Sequence, residues 1–550
     1  MSVFRSDFPF FTHYPNALYF DNAATTQKPQ CVLESMQHSY VHLNANVHRS
    51  SYGLAQQVTE AFEGARNTLA NFINSPHPNQ IVWTKGATES VNLLAYGLAS
   101  ANLLDGDEVI LLVSEHHANL LPWRRLAEQC GLNIVYHGIS EQGDVDYDAL
   151  LGLISDNTAL IACAHVSNVL GTIHPVTAIA AKAKAHGALC IIDGTQAVAH
   201  LDVDVQAIGC DAYVFSSHKM FGPTGVGVLY GTTSLLTALG VYHLGGEMVQ
   251  HVSLDEVTYQ SAPLKFEAGT PALHGVLGLA CAVNYLQQHR FAWFQHEKTL
   301  QQALLNACDA RPELTVYGRQ AMLLGHAIPL VSFNHESING YDLLQQLQPE
   351  QVSLRVGQHC AMPLQHALGI DSSIRVSLAG YNTIAEIERF FALMDDLTAS
   401  KQITVPLDRS LNQALTGTRT AQSKVKQNAA SNPVEKLLND ARGFTAINRA
   451  LMLASKHCPM LDASEHSDQY LVSGCEVSVY LKHDGQIWRG YSQSKIIRGL
   501  LAVLLLRANE LLDTTQDYDF NAYLDGLGVT QVLSQSRVSG LGQIIARLSA

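Results

Sequence analysis

The strongest constraint on the fold of this chain is an alternation of short apolar runs and longer helical patterns between about residues 80 and 230. The runs are rich in β-branched residues, which favour strands, whereas the stretches between them, such as 89–100 and 176–187, repeat apolar residues at helical spacing. The apolar runs are IVWT (81–84), VILLV (109–113), LIACAH (160–165), ALCIID (188–193), AYVF (212–215) and GVLY (227–230). Such βαβ repetition predicts an α/β domain with a mainly parallel sheet.

The composition and patterning of the remaining chain predict two further domains and a linker. Residues 281–400 contain helices and a few strands without the earlier rhythm, which indicates a smaller α+β domain. Residues 401–431 lack aromatic side chains and are dominated by Gln, Thr, Ser, Asn and Ala, so we predict a flexible linker there. Apolar periodicity then returns, with a helix near 434–455, strands near 476–482 and 486–491, and helices near 494–512 and 540–549. Residues 432–550 are therefore predicted to form a separate α+β domain.

Composition also excludes several classes of function. A hydrophobic content of 47% with 15% charged residues is typical of a globular protein, and a formal net charge of −14 argues against a nucleic-acid partner. The strongest apolar run, 500–506, is too short to cross a membrane, and the first residues lack the pattern of a secretory signal, so we expect a cytoplasmic protein. Ten cysteines without CxxC pairs argue against a disulfide scaffold or a zinc ribbon, and His116 and His117 have no further ligands at zinc spacing, so no metal site is predicted.

Two charged side chains follow strands of the predicted sheet. Asp193 ends ALCIID, and Lys219 comes just after AYVF in a loop rich in hydroxyls and glycines. The carboxyl ends of parallel strands share one edge, where such sheets bind ligands. A lysine that can form a Schiff base and a carboxylate that keeps a pyridine nitrogen protonated are what pyridoxal phosphate requires. Taken singly, Lys219 could be a surface lysine and Asp193 a turn residue.

With these residues identified, the chain resembles the fold-type I pyridoxal phosphate enzymes, and among them the class II cysteine desulfurases of the Suf and Csd type. The resemblance covers about residues 1–400 and implies a homodimer, with a large domain at about 16–280 and a small domain at about 281–400 that includes the N-terminal segment. It rests on DNAATTQKP (21–29), NVHRSSY (46–52), KGATESVN (85–92), EHHANLLPW (115–123), HVSNVLGT (165–172), DGTQAV (193–198), SSHKMFGPTG (216–225), FEAGTP (266–271) and RVGQHCAMPL (355–364).

The resemblance also implies roles for individual residues. Lys219 would bond to the cofactor, Asp193 would contact the pyridine nitrogen, and His116 would stack on the ring. The cofactor-binding set implied is Lys219, Asp193, Gln196, His116, Thr88, Asn168, Ser216, His218 and Thr270, the last reaching the phosphate of the neighbouring subunit. Arg375 and Asn168 would hold the substrate carboxylate, for which an arginine fork suits. A helix cap at Thr88 and a structural ion pair at Arg375 are the ordinary alternatives.

The reaction type depends on Cys360. This cysteine lies in a glycine-containing loop beside Arg355 and His359, and this position favours a reactive thiol over a packed one. The resemblance then implies conversion of L-cysteine to L-alanine, in which Cys360 attacks the substrate sulfur and retains it as a persulfide. Selenocysteine lyase activity, or another carbon–sulfur or amine reaction on the same cofactor, stays open as an alternative.

Residues 432–550 resemble the sulfur acceptors of the SufE and CsdE type. The matching segments are SGCEVSVYLK (473–482), SKIIRGLLAVLL (494–505) and LSQSRVSGLGQII (533–545). The resemblance implies that Cys475 takes sulfur from Cys360 and passes it to a downstream acceptor, such as an iron–sulfur scaffold or a thiolation enzyme. A domain that only docks external acceptors is the alternative. Cys458 is expected to be structural, and Arg498 and Arg537 occupy recurrent basic positions without an assigned role.

Overall fold

The computed structural model describes residues 4–48, 50–402, 433–441, 444–462, 465–472, 478–492, 494–511, 518–529 and 535–548. The chain divides into two compact units, Met1–Thr404 and Val405–Ala550. Nearly all of the predicted linker, from residue 403 onward, lies outside the described residues.

The first unit contains fifteen described strands and fourteen described helices. The strands are β1 (Leu18–Tyr19), β2 (Ile81–Thr84), β3 (Glu108–Leu112), β4 (Asn133–His137), β5 (Thr158–Ala164), β6 (Leu189–Asp193), β7 (Ala212–Ser216), β8 (Gly227–Gly231), β9 (Val249–Val252), β10 (Val257–Tyr259), β11 (Leu314–Tyr317), β12 (Leu330–His335), β13 (Val352–Ser353), β14 (Arg355–Gly357) and β15 (Ser373–Ser377). The helices are α1 (Pro9–His13), α2 (Gln30–His42), α3 (Gly53–Phe72), α4 (Ala87–Ser100), α5 (Leu121–Cys130), α6 (Tyr147–Leu153), α7 (Val176–Ala185), α8 (Val205–Ile208), α9 (Thr233–Ala238), α10 (Leu273–Asp309), α11 (Arg319–Leu323), α12 (Gly340–Leu347), α13 (Met362–Ala367) and α14 (Ile384–Gln402).

A seven-stranded sheet in the order β2-β8-β7-β6-β5-β3-β4 forms the centre of this unit. The ladder is parallel from β7 to β4, and β8 pairs antiparallel with both β7 and β2. The predicted α/β class with a mainly parallel sheet is confirmed, and each of the six predicted strands is present within a few residues. The sequence pattern missed β4, because this edge strand is only partly buried and carries no continuous apolar run.

Both faces of the sheet are covered, as the continuous apolar runs of its strands require. Alternate residues of β6 point to opposite faces: Cys190 and Ile192 pack against α3, α7 and α10, whereas Ile191 packs on the side of α4 and α5. With both faces closed by helices, the carboxyl ends of the parallel strands are left as the edge that can open a ligand crevice.

A second sheet, antiparallel and in the order β11-β12-β15-β14, lies under α10 and α14. The N-terminal segment is attached to this part of the unit, because β1 pairs parallel with β13 and Asp21 bridges to Ser377. Helix α10 runs from the core of the large sheet into the core of the small sheet, so one continuous element connects them.

The second unit has its own apolar core and contains the hairpin of β16 (Val479–His483) and β17 (Trp488–Ser492). Its described helices are α15 (Pro433–Asn439), α16 (Phe444–Ala454), α17 (Lys495–Leu511), α18 (Phe520–Gly526) and α19 (Gln535–Leu548). The single helix predicted near 434–455 was wrong in part, since α15 and α16 are two helices, and α18 was not predicted. Within the described ranges, no helix combines the length and the apolarity that crossing a bilayer requires.

Candidate active site

A cavity of about 260 Å³ lies at the carboxyl ends of the parallel strands. It brings together nearly all of the residues that the sequence singled out in the first 400 positions. The predicted residues that line it are Thr88, His116, Asn168, Asp193, Gln196, Ser216, His218, Lys219, Cys360 and Arg375. Arg355, His359 and Thr195 line it as well.

Lys219 projects from a short 3-10 helix, Ser217–Lys219, that directly follows β7. The N-terminal segment fixes this loop, because Thr26 donates both its backbone N–H and its hydroxyl to the carbonyl of His218, at 3.0 and 3.1 Å. The hydroxyl of Thr26 in turn accepts a hydrogen bond from the Phe221 N–H at 2.8 Å. The backbone that carries Lys219 is therefore held by the N-terminal segment of the chain.

Burial and neighbouring charges make Lys219 easier to deprotonate than an ordinary lysine. Burial lowers the pKa of Lys219 to about 8, the cation of Arg375 contributes in the same direction, and the carboxylate of Asp193 opposes the shift. An amine that is partly unprotonated near neutral pH is a far better nucleophile and base than an ordinary lysine. Lys219 is thus suited to covalent bonding and to proton transfer.

Asp193 occupies the last position of β6, as predicted, and is buried. Its Oδ1 accepts a hydrogen bond from the Thr195 N–H at 2.9 Å, and burial raises the pKa of Asp193 despite this bond and the charge of Lys219. The turn after β6 needs glycine, because a Cβ on Gly194 would lie 2.0 Å from the ring of Tyr213. The buried carboxylate can therefore pair with a cationic group that enters the cavity.

His116 is a neutral imidazole in this cavity. Its Nδ1 accepts a hydrogen bond from the Ala118 N–H at 3.1 Å, so the proton of the neutral ring is on Nε2. Burial lowers the pKa of His116 to about 3, and the positive charge of Lys219 adds to the shift. The ring is therefore available as an uncharged, flat surface with one N–H donor.

We expect the His116 ring to show no titration between about pH 5 and pH 8. Because its folded pKa lies below the value of an unfolded histidine, the unfolded chain binds the extra proton, and His116 lowers stability as the pH falls below about 6.5. Imidazole NMR shifts of the cofactor-free protein, assigned with a His116→Asn variant, test this expectation. A midpoint near pH 6.5 for His116 would contradict it.

A buried glutamate anchors the loop that carries His116. Glu115 is fully buried and accepts hydrogen bonds from the Ala164 N–H at 2.9 Å and from Asn119 Nδ2 at 2.7 Å. Asn119 Oδ1 then accepts from the indole N–H of Trp123 at 2.9 Å. Burial raises the pKa of Glu115 to about 8, although both hydrogen bonds oppose the shift. This chain of bonds connects β5, the His116 loop and α5.

Glu115→Gln is expected to lower the free energy of unfolding by about 1–3 kcal/mol, because one buried donor must then lose its acceptor. An amide can accept from Ala164 or from Asn119 but not from both, and reversing Asn119 would remove the acceptor of Trp123. Urea unfolding measures the effect, with Glu128→Gln on the exposed side of α5 as the matched control. Equal stability of the two variants would contradict this account of the network.

One end of the cavity is suited to an anion. Helix α4 begins immediately after β2, and its first N–H groups have no partners within the helix. Ser216 Oγ accepts from the Ala87 N–H at 2.9 Å, and Thr88 stands on the first turn beside it. Strand β8 approaches this turn so closely that a Cβ on Gly227 would lie 2.4 Å from the Gly86 backbone. The hydroxyls and N–H groups together make a site for a phosphate.

Arg375 is buried at the opposite side of the cavity, with 2% of its surface exposed. Its Nη1 donates to the Asn168 carbonyl at 2.8 Å and its Nη2 to Asp21 Oδ1 at 3.2 Å, while its buried Nε finds no partner among the residues that the structure describes. Burial lowers the pKa of Arg375 to about 10, and the carboxylate of Asp21 opposes the shift. Arg375 therefore forms an ion pair with Asp21, as the structural alternative predicted, and its Nε is still available to a carboxylate.

Cys360 lies at the surface and also lines the cavity. Its carbonyl accepts from the His117 N–H at 2.8 Å, and the carbonyl of His359 accepts from Asn168 Nδ2 at 2.9 Å. Both His359 and Cys360 have left-handed backbone angles, with φ of 52° and 56°. This turn is unusual for residues with side chains, and its hydrogen bonds hold the backbone while the thiol carries none of them.

One of the predicted cofactor-binding residues does not line this cavity, and the residues singled out after position 432 belong to the second unit. Thr270 is exposed and does not line it. Cys475 lies outside the described residues, and so does the side chain of Arg537. Arg498 donates to the Ser492 carbonyl at 3.2 Å within the second unit. Cys458 is buried there, as expected of a structural cysteine.

Several residues that shape the cavity received no role from the sequence. Asp21 pairs with Arg375 and with Arg355, His117 holds the cysteine loop, and Thr195 supports Asp193. Asp21, Arg355 and His117 lie inside the motifs that carry the resemblance, and this location is the only signal that could have identified them. Their partners come from distant parts of the chain.

The residues present fit pyridoxal phosphate. The cavity offers an amine of lowered pKa, a buried carboxylate for a pyridine nitrogen and an anion site at the start of α4. Across the described residues, no cluster of three or more His, Cys, Asp or Glu side chains could hold a metal ion.

Comparison with known proteins gives two family matches. Residues 18–390 match the model of class-V aminotransferases, and residues 436–550 match the SufE model, described as an Fe-S metabolism associated domain. A probable cysteine desulfurase of Pseudomonas putida is 43% identical over 72% of this chain and 97% of its own length, and one of Vibrio cholerae is 40% identical over 71% and 97%. The crystal structure of the cysteine desulfurase CsdA of Escherichia coli, in its S-sulfonic acid form, is 37% identical, with a TM-score of 0.65 over 72% of this chain and 97% of that one.

Proposed function

The chain belongs to the class-V aminotransferase family and, within it, to the pyridoxal phosphate-dependent cysteine desulfurases, with a SufE domain at its C-terminal end. From this premise we propose that it converts L-cysteine to L-alanine and carries the sulfur as a persulfide on Cys360. The observation that supports this most directly is that the exposed thiol of Cys360 and the amine of Lys219 line one cavity. We place the reaction in the cytoplasm, where free thiols persist.

Pyridoxal phosphate, when bound, supplies an electron-withdrawing ring that acidifies the Cα proton and weakens the neighbouring bonds of an amino acid. Four residues would hold this group. Lys219 would bond to it through its amine, and Asp193 would contact its pyridine nitrogen. His116 would cover the ring face, and Thr88 would contact the phosphate. Arg375 orients the substrate, because it lines the cavity and its buried Nε, which has no partner among the described residues, can donate to a carboxylate. The Nζ of Lys219, with a pKa of about 8, takes and returns a proton at the substrate Cα.

The chemical step at sulfur belongs to Cys360. Its thiolate attacks the substrate sulfur, a sulfur–sulfur bond forms, and the bond between that sulfur and Cβ breaks. The electron pair of the broken bond stays with the carbon skeleton, which takes up protons and leaves as L-alanine. The persulfide remains on the exposed loop.

We further propose that the fused domain receives this sulfur on Cys475 and delivers it to an outside acceptor for iron–sulfur cluster or other sulfur-containing cofactor synthesis. A thiol attacks a persulfide at its outer sulfur, so transfer between two cysteines needs no further reactant. Fusion keeps the second thiol at a high effective concentration, which favours this relay over transfer to an unlinked protein. We also propose a homodimer, in which Thr270 of one chain completes the phosphate site of the other.

The test is a comparison of wild type with Cys475→Ser after incubation with L-cysteine. Persulfides are alkylated and located by mass spectrometry, and sulfur delivery to an added thiol protein is timed. The relay predicts label on both Cys360 and Cys475 in the wild type, and slower delivery with label on Cys360 alone in the variant.

Cys458→Ala serves as the matched control, because that cysteine is buried in the same unit and has no role in the relay. It should deliver sulfur at the wild-type rate. Equal delivery by Cys475→Ser and wild type would refute the relay and favour a domain that only docks external acceptors.

A further inference from the structure

Outside the cavity, two cysteines from different helices are neighbours. Cys31 lies in the first turn of α2 and Cys281 lies in α10; both pack against the same apolar core, and each thiol shifts the pKa of the other. Both cysteines are free and partly exposed. The active-site chemistry proposed above uses neither of them.

The packing of α2 on α10 brings this pair together. The two helices run antiparallel, since Ser39 hydrogen-bonds to His274 at 2.9 Å while Met36, earlier in α2, covers Gly278, later in α10. The lack of a side chain on Gly278 lets the helices approach, because a Cβ there would lie 2.8 Å from Met36 Cγ. The next contact in this register is the pair of cysteines, so the pairing follows from the helix geometry.

The two sulfurs differ in protonation. The hydrogen bond from Cys281 lowers the pKa of Cys31 to about 7, whereas the same bond, together with burial, raises the pKa of Cys281. At neutral pH, Cys31 is therefore substantially a thiolate next to a thiol. A thiolate attacks oxidants, and a thiol within contact distance can resolve the product.

We propose that Cys31 and Cys281 form a redox-active dithiol that a peroxide converts into a disulfide between α2 and α10. The thiolate of Cys31 attacks one peroxide oxygen, the oxygen–oxygen bond breaks, and Cys31 becomes a sulfenic acid while the released hydroxide takes up a proton. The sulfur of Cys281 then attacks the sulfur of Cys31, and the hydroxyl leaves as water with the proton of that thiol. The two cysteines lose two electrons and the peroxide gains them.

Disulfide formation here should strengthen the first unit without disturbing the cavity. The register of α2 on α10 already pairs the two residues, so closure needs little movement of either helix. A covalent link between segments far apart in the sequence removes much of the freedom of the unfolded chain. Formation of this disulfide is therefore expected to raise thermal stability. Activity is not used as its readout, because peroxide also oxidises the exposed thiol of Cys360.

The experiment treats the reduced, full-length holoenzyme with hydrogen peroxide and then blocks the remaining thiols with iodoacetamide. Digestion without reductant followed by mass spectrometry should identify a peptide in which Cys31 is linked to Cys281, with a loss of roughly 2 Da relative to the two thiol peptides. Dithiothreitol should reverse the link. The variant Cys130→Ser, which removes an exposed cysteine elsewhere, should form it normally, and Cys31→Ser and Cys281→Ser should not.

The unfolding temperature provides a second readout that does not depend on activity. Peroxide treatment should raise it by several degrees in the wild type and in Cys130→Ser, but in neither variant of the pair. Absence of the linked peptide from oxidised wild type would overturn the proposal, as would a link that forms only between two chains. Conversion of Cys31 to a sulfinic acid with Cys281 unmodified would overturn it too.

Discussion

Lys219→Ala is expected to lower the rate of L-alanine formation from L-cysteine by roughly 10³-fold or more, since positioned proton transfer alone contributes about 10²–10⁴-fold. The variant loses the amine whose pKa burial and Arg375 lower to about 8, and no other lysine lines the described cavity. Under the role proposed for Lys219, the variant also loses the covalent attachment of the cofactor. The yellow colour of the purified enzyme should therefore weaken or shift, and dialysis should remove the cofactor more readily.

Lys184→Ala is the matched control, because this lysine is exposed on α7 and does not line the cavity. It should keep the wild-type rate and colour. Circular dichroism should be alike for all three proteins, since the Lys219 loop is held by backbone bonds to Thr26 that the substitution leaves in place. A Lys219→Ala enzyme within tenfold of the wild-type rate would remove this lysine from the reaction.

Cys360→Ser should produce the second large loss, again roughly 10³-fold or more in sulfur release, because a serine hydroxyl is a poor nucleophile toward sulfur. Cofactor binding and colour should be unchanged, since Cys360 is not among the groups assigned to hold the cofactor. The measurement is persulfide detection by mass spectrometry combined with timed L-alanine formation. This separation of colour from activity distinguishes the role of Cys360 from that of Lys219.

Cys130→Ser is the control variant, because it removes a thiol at the exposed end of α5 that the proposed reaction does not use. Its persulfide yield should equal that of the wild type. If Cys360→Ser formed L-alanine at the wild-type rate, the thiol would not be the sulfur acceptor, and a lyase reaction without a nucleophilic cysteine would become the better explanation.

The central sheet could be predicted from sequence because its strands are buried on both faces and read as uninterrupted apolar runs. Asp193 and the loop of Lys219 follow two of those strands, so their meeting at one edge follows from the topology of a parallel sheet. The edge strand β4 has no such run and escaped prediction. The break between α15 and α16 was also missed, because it does not interrupt the apolar periodicity of the sequence.

Contacts between distant segments could not be predicted from the sequence. Nothing local indicates that Glu115 accepts from both β5 and Asn119, or that Asp21 pairs with Arg375. The meeting of Cys31 with Cys281 depends on the register of two helices, which no motif encodes. The left-handed turn at Cys360 was equally hidden, because sequence usually signals such a turn by glycine or asparagine.

That turn has a consequence for how sulfur leaves the site. Hydrogen bonds from Asn168 and His117 hold the main chain at His359 and Cys360. The loop is therefore fixed, and the thiol of Cys360 moves by rotation about its Cα–Cβ bond. A staggered side chain has three stable positions about that bond, and exchange among them takes nanoseconds or less in exposed residues. Under the persulfide proposal, loading at the cavity and delivery at the surface differ by one fast rotation, so we expect the arrival of the acceptor to set the rate of delivery.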